Sequence, residues 1–182
     1  MLEVEMKFRA PENVTLQERL KTCGAVAVEE REDADAYFNA PHRDFAQTDE
    51  ALRIRRIGPA NYVTYKGPRR DATTKTRAEI EVGFEDGDKA ADDFQRILLA
   101  LGFRPVAVVR KRRRVWKVTR GGYKLEICLD DVERVGRYVE LEIQAPESEL
   151  DSARTVVLEA AAELGLTQSE RRSYLELLLA KG

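Results

Sequence analysis

Along most of this chain, polar and apolar residues alternate with a period of two, as they do in strands buried on one face. The alternation predicts eight strands, over residues 2–9, 25–31 running on to Tyr37 and Phe38, 51–57, 61–66, 74–84, 106–118, 123–129 and 137–144. Four segments carry helical signals instead. Residues 13–23 contain Thr15-Leu16-Gln17-Glu18, where a hydroxyl and an acid three positions on can cap a first turn, and they run up to Gly24. Residues 88–101 have acids in the first turn and Gly102 beyond the end; residues 147–164 are rich in Ala, Leu and Glu and stop before Gly165. A last helix is predicted over 168–180, after Thr167 and with Glu170 three positions on. Few of the connections are long enough for parallel crossovers, so the sheet is expected to be antiparallel.

What sets the strands apart is their polar face. Glu3, Glu5 and Lys7 share a face opposite Val4 and Met6. Arg53 and Arg55 oppose Leu52 and Ile54, and Thr64 and Lys66 oppose Val63 and Tyr65. Arg77, Glu79 and Glu81 oppose Ala78, Ile80 and Val82; Lys124, Glu126 and Asp130 oppose Leu125, Ile127 and Leu129; Glu140 and Glu142 oppose Val139, Leu141 and Ile143. In KRRRVWK, Lys111 and Arg113 take one face, and Arg110, Arg112 and Arg114 the other. An ordinary wet face mixes charge with Ser, Thr and Gln; here the charges dominate and their signs are sorted by strand.

Two geometries account for this. Either the charged faces look into water, laced by weak cross-strand pairs, or the sheet curls into a barrel with the charges inward and helices over the apolar outside. A charged interior is costly unless each charge is compensated. Carboxylates suit hard divalent cations and guanidinium groups suit phosphate oxygens. A phosphate chain with its metal ions uses both.

Composition narrows the reading. The 182 residues suit one domain over 1–182 with a substantial core. Lys+Arg 31 against Asp+Glu 33 leaves a net charge of -2, which argues against a nucleic-acid partner and leaves open a site in which acids and bases oppose one another. Cys23 and Cys128 lack metal-like spacing, so a reducing cytoplasm is the expected location; no apolar run approaches a membrane span.

The motifs are also familiar in type. E-x-E-x-K at Glu3, Glu5 and Lys7 resembles the signature of the CYTH family, the triphosphate tunnel metalloenzymes. The likeness continues in order through DAYF (35–38), ALRIR (51–55), TYKGP (64–68), RAEIE (77–81), KRR (111–113), LDDVERVGRYVELE (129–142) and SYLELL (173–178). It is strongest to the class IV adenylyl cyclase branch, through NAPHRDFAQTDEALRIR (39–55). Those cyclases share a His-Phe pair ahead of E-x-E-x-K, whereas Met1 and Leu2 precede Glu3 here, which keeps triphosphate hydrolysis beside cyclisation as an expectation.

The resemblance implies an α+β fold, a closed eight-stranded antiparallel barrel with helices outside. It implies Mg2+ or Mn2+ at Glu3, Glu5, Glu79, Glu81, Asp130, Glu140 and Glu142, and a triphosphate held by Lys7, Arg53, Arg55, Lys66, Arg77, Lys111 and Arg113. Lys7, Glu5 and Glu140 are the catalytic candidates. The substrate would be ATP, inorganic triphosphate or thiamine triphosphate; a module that holds such a ligand without turnover is a further alternative. The rest reads blandly. His42 is a solvated loop residue, Trp116 and Cys128 fill the core, and Glu133, Arg134 and Gly136 make a turn. Tyr174 and the last helix pack on the outside of the barrel, whose apolar face needs covering by helices or by a second copy in a homodimer.

Overall fold

The computed structural model describes residues 2–10, 15–70 and 76–182. Strands and helices run β1 (Leu2–Arg9), α1 (Thr15–Thr22), β2 (Val26–Asn39), α2 (Phe45–Thr48), β3 (Ala51–Ile57), β4 (Ala60–Lys66), β5 (Glu79–Phe84) and α3 (Asp88–Ala100). They continue with β6 (Arg104–Arg120), β7 (Tyr123–Val132), β8 (Gly136–Ala145), a 3-10 turn at Glu147–Glu149, α4 (Leu150–Glu163) and α5 (Tyr174–Leu179). The eight strands form one sheet in the order β1-β8-β7-β6-β2-β3-β4-β5, and every neighbouring pair is antiparallel.

Alternation decides which face each side chain takes, and packing follows. Val4, Met6, Phe8, Leu125, Ile127, Leu141 and Ile143 meet Leu16 and Leu20 of α1 and Ala153, Val157, Ala160 and Ala161 of α4. Farther along the same face, Leu98 of α3 packs on Phe38 and Ile54. Trp116 sits in this core, as expected. The opposite face carries the charges.

Three expectations are corrected. The sheet curls without closing into a barrel: β1 and β5 remain its edges. Among the described residues they are joined by a bridge, in which Glu3 and Arg77 exchange backbone hydrogen bonds of 3.4 Å. β5 begins at Glu79, and among the described residues no ladder joins it to β1. The first residues of the strand predicted over 74–84, and those at 13 and 14 of the first helix, fall outside the described residues.

The last helix is shorter than predicted, because residues 168–170 hydrogen-bond to β1 instead. Arg9 N donates to the Gln168 carbonyl at 3.1 Å, Glu170 N donates to the Lys7 carbonyl at 2.8 Å, and Ser169 bridges Phe8. The helix starts only after Ser173, whose hydroxyl accepts from Glu176 N while the Glu176 carboxylate accepts from Ser173 N. A capping box is present, six residues beyond the expected one.

The third correction concerns where that helix lies. Tyr174, Leu177 and Leu178 pack with Tyr37, Val109, Val132 and Tyr138. These strand residues share a face with Asp35, Lys111, Asp130 and Glu140, by their spacing of two. So α5 covers part of the charged face, not the apolar outside.

Candidate functional site

The charged face is concave and enclosed. It borders a cavity of about 520 Å³, and Glu3, Glu5, Lys7, Asp35, Lys111 and Arg113 are all buried along it or just behind it. The geometry in which this face looks into bulk water is therefore set aside. Three charge clusters make up the lining.

The first spans β2, β3 and β6 and centres on Asp35. Arg55 grips it with Nε–Oδ1 at 2.7 Å and Nη2–Oδ2 at 2.8 Å; Lys111 Nζ is 3.1 Å and Arg53 Nη1 3.5 Å from Oδ2. Asp33, two residues back on the same face, takes Lys111 Nζ at 3.2 Å and Arg31 Nε at 3.0 Å. Burial opposes a charge on Asp35, yet Lys111, Arg53 and Arg55 together hold its carboxyl well below the usual range. Sequence reasoning missed both aspartates, although their spacing of two in a strand was the available signal.

The second cluster joins β6, β7, β8 and α5. Arg113 forks onto Asp130, with Nε–Oδ1 at 2.7 Å and Nη2–Oδ2 at 2.6 Å, and reaches Glu140 Oε2 at 2.5 Å. Tyr174 donates its hydroxyl to Asp130 Oδ2 at 2.8 Å. Burial disfavours ionised Asp130, but Arg113 outweighs it and keeps the carboxyl below its ordinary value. Asp130 lies behind Arg113, set back from the cavity surface, whereas the other site residues named from the sequence all line it. Lys7 Nζ lies 4.0 Å from the centre of the Tyr174 ring and donates to the Arg172 carbonyl.

Tyr174→Phe keeps the ring against Lys7 and removes only the hydroxyl bond to buried, charged Asp130. It is expected to cost about 1.5–3 kcal/mol, read as a lower urea midpoint at unchanged slope.

The third cluster is crowded with acid. Lys66 Nζ touches both Glu3 oxygens at 3.1 Å and Glu79 Oε2 at 2.5 Å. Glu5 stands opposite Glu142 in the β1–β8 register, and Glu126 stands opposite Glu142 in the β7–β8 register. Burial, with Glu142 and Glu79 nearby, pushes the Glu3 carboxyl well above the ordinary range despite Lys66. Burial raises Glu142 as well, with Glu5 and Glu79 adding to it. Glu79 goes the other way: burial is outweighed by a hydrogen bond from Glu3 and by Lys66, holding it at about 2. A proton on Glu3 shared towards ionised Glu79 accounts for both directions.

Glu81 is more open; it accepts from Thr64 Oγ1 at 2.7 Å and lies 3.8 Å from Arg53 Nη2. Arg77 is buried on the lining, and its Nε has no hydrogen-bond partner among the described residues. Of the basic run, Lys111 and Arg113 turn inward while Arg110, Arg112 and Arg114 are exposed, as the alternation requires. Cys128 is a correction. It is buried, but it shares the charged face, with Sγ 3.5 Å from Glu126 Oε1, and does not fill the apolar core. His42 is exposed beside Arg43. No helix is long and apolar enough to cross a membrane among the described residues.

The site is thus a curled antiparallel sheet whose concave wall sets acids against bases. Residues 1–174 match the CYTH domain model, and the chain belongs to that family. It is 32% identical over 181 residues to adenylate cyclase CyaB of Aeromonas hydrophila, covering 96% of this chain and 87% of that protein. The structure of PH1819 from Pyrococcus horikoshii superposes with a TM-score of 0.87 at 38% identity, over 99% of both chains. HpAC1 from Hippeastrum, described as having a dominant triphosphatase activity, shares the fold with a TM-score of 0.68 at 16% identity, covering 98% of this chain and 95% of that one.

CYTH enzymes are in general dependent on divalent metal, and the third cluster fits such an ion. Glu3, Glu5, Glu79 and Glu142 offer hard oxygen donors in excess of their nearby cation, and the raised carboxyls of Glu3 and Glu142 reflect crowded acid that a dication would relieve. Among the described residues these carboxylates are not yet gathered around one point.

Proposed function

We propose that this chain is a divalent-metal-dependent enzyme of the class IV adenylyl cyclase type, converting ATP to cyclic AMP and pyrophosphate. One observation carries the reading: a single cavity presents Arg53, Arg55, Lys66, Arg77, Lys111 and Arg113 together with a carboxylate cluster short of positive charge. Mg2+ or Mn2+ held by Glu3, Glu5, Glu79 and Glu142 would neutralise phosphate charge. The arginines and lysines hold the phosphate chain and keep its α-phosphorus in line with the ribose 3′-oxygen. That oxygen bonds to the α-phosphorus as the bond to the bridging oxygen breaks, and pyrophosphate leaves with the electron pair. Lys7 Nζ is engaged by the Arg172 carbonyl and the Tyr174 ring, so a lumen carboxylate is the better acceptor for the 3′-hydroxyl proton.

A second reading, hydrolysis of a terminal phosphate, uses the same cradle with water as nucleophile, and the likeness to HpAC1 favours keeping it. The test is a product assay with Mg2+ or Mn2+ and, separately, ATP, inorganic triphosphate and thiamine triphosphate. Cyclic AMP and pyrophosphate from ATP are expected. Orthophosphate without cyclic AMP would replace the cyclase reading with triphosphatase. Binding without any product would leave a non-catalytic module.

A further inference from the structure

Across β3, β4 and β5 the register sets Arg53 opposite Thr64 and Thr64 opposite Glu81, so the three side chains stand in one row on the cavity wall. The outer two are a base of the phosphate cradle and an acid of the carboxylate side. Between them is a short, uncharged residue that is fully buried. A neutral hydroxyl in a wall built from charges calls for an explanation, and its hydrogen bonds supply one.

Arg53 Nε donates to Thr64 Oγ1 at 3.3 Å, and Thr64 Oγ1 donates to Glu81 Oε2 at 2.7 Å. An arginine nitrogen can only donate, so Thr64 accepts on that side and turns its own proton to Glu81. The direct approach of the two charges is longer, with Arg53 Nη2 at 3.8 Å from Glu81 Oε2. Toward β2, Arg53 Nη1 stays 3.5 Å from Asp35 Oδ2. Arg55, by contrast, is forked onto Asp35 at 2.7 and 2.8 Å, and Arg113 onto Asp130 at 2.7 and 2.6 Å. Arg53 has no carboxylate as close as theirs.

Resting on the triphosphate reading above, we infer that Thr64 is a positioning residue, whose hydroxyl holds Arg53 and Glu81 apart. The guanidinium then stays available to a phosphate oxygen and the carboxylate to a divalent cation. Without the hydroxyl the opposite charges close onto each other, and each is spent on the other. Thr64 touches neither ligand in this role. It sets the spacing between the group that takes the phosphate and the group that takes the cation. A β-branched side chain suits the place, because its few rotamers fix where the oxygen points.

The test measures dissociation constants of inorganic triphosphate by calorimetry, with calcium in place of magnesium because it takes the same oxygen donors. Thr64→Val keeps the shape and removes the hydroxyl; Thr64→Ser keeps the hydroxyl. The valine variant should bind about tenfold more weakly, the loss of a hydrogen bond between charged groups, and the serine variant should stay within about threefold of wild type. Made on top of Glu81→Ala, Thr64→Val should cost less than about threefold, because the carboxylate that Arg53 would close onto is gone. Melting curves check folding, and Thr64→Ala replaces the valine variant if that one does not fold. Unchanged binding without the hydroxyl, a serine variant as weak as the valine one, or the full tenfold loss in the Glu81→Ala background would each overturn the role. If wild type itself does not bind triphosphate, the triphosphate reading fails and this role with it.

Discussion

Glu142→Gln should silence the enzyme while making the protein more stable. Glu142 is half-buried beside Glu5 and Glu79, and desolvation with these two neighbours raises its carboxyl above the ordinary value. A group whose folded pKa is raised contributes stability that is fully present below its unfolded value and is lost as pH rises through the folded one. At neutral pH the ionised side chain therefore works against the fold. The amide is close in shape, can still accept from Gln144, and carries no charge. The melting temperature at neutral pH should rise, and the wild-type loss of stability on going from mildly acidic to neutral pH should shrink in the variant. Turnover should fall on the order of 10²–10³-fold, because one of the oxygen donors is weakened and a charge facing the phosphates' counter-ions is gone. A variant that melts lower and turns over normally would remove Glu142 from the site.

Arg113→Ala is the opposite case, with loss on both counts. Arg113 neutralises Asp130 and Glu140 at once, and its own charge is held firmly, burial being outweighed by Asp130 and Glu140 among others. Removing it strands two carboxylates, one of them fully enclosed, and should cost about 3–5 kcal/mol by chemical denaturation, along with turnover. Arg113→Lys keeps the charge without the fork and should recover part of the stability. Full stability in the alanine variant would show that water, not Arg113, satisfies Asp130.

Much of this was legible from alternation. Spacing of two put Glu3, Glu5, Lys7, Arg53, Arg55, Lys111, Arg113, Glu140 and Glu142 on one face, and the antiparallel sheet brings those faces together. Periodicity is local, and what it missed is not. Nothing near Glu79 in sequence tells how much of β5 will reach β1, so closure was overestimated. Residues 168–172 have helical composition, but hydrogen bonds to β1, over 150 residues away in sequence, outcompete that preference. Tyr174 looked like packing because an aromatic on an amphipathic helix usually is; its hydroxyl finds Asp130 only once α5 crosses the concave face. Asp35 stood inside a quoted motif, but its value as a hub for three bases exists only after β2, β3 and β6 are side by side.

The pairing of β1 has a consequence for how the polypeptide is made. β1 finds its ladder partner in β8, with Leu2 opposite Ala145 and Arg9 opposite Tyr138, and its other edge receives Arg77 and then Gln168 through Glu170. During synthesis β1 emerges before the other strands of this sheet, and its ladder must wait until β8 has followed. Apart from the bridge to Arg77, its partners along both edges come from the later part of the message. Lys7, Glu5 and Glu3 are thus among the first site residues to be translated and among the last to be locked in place.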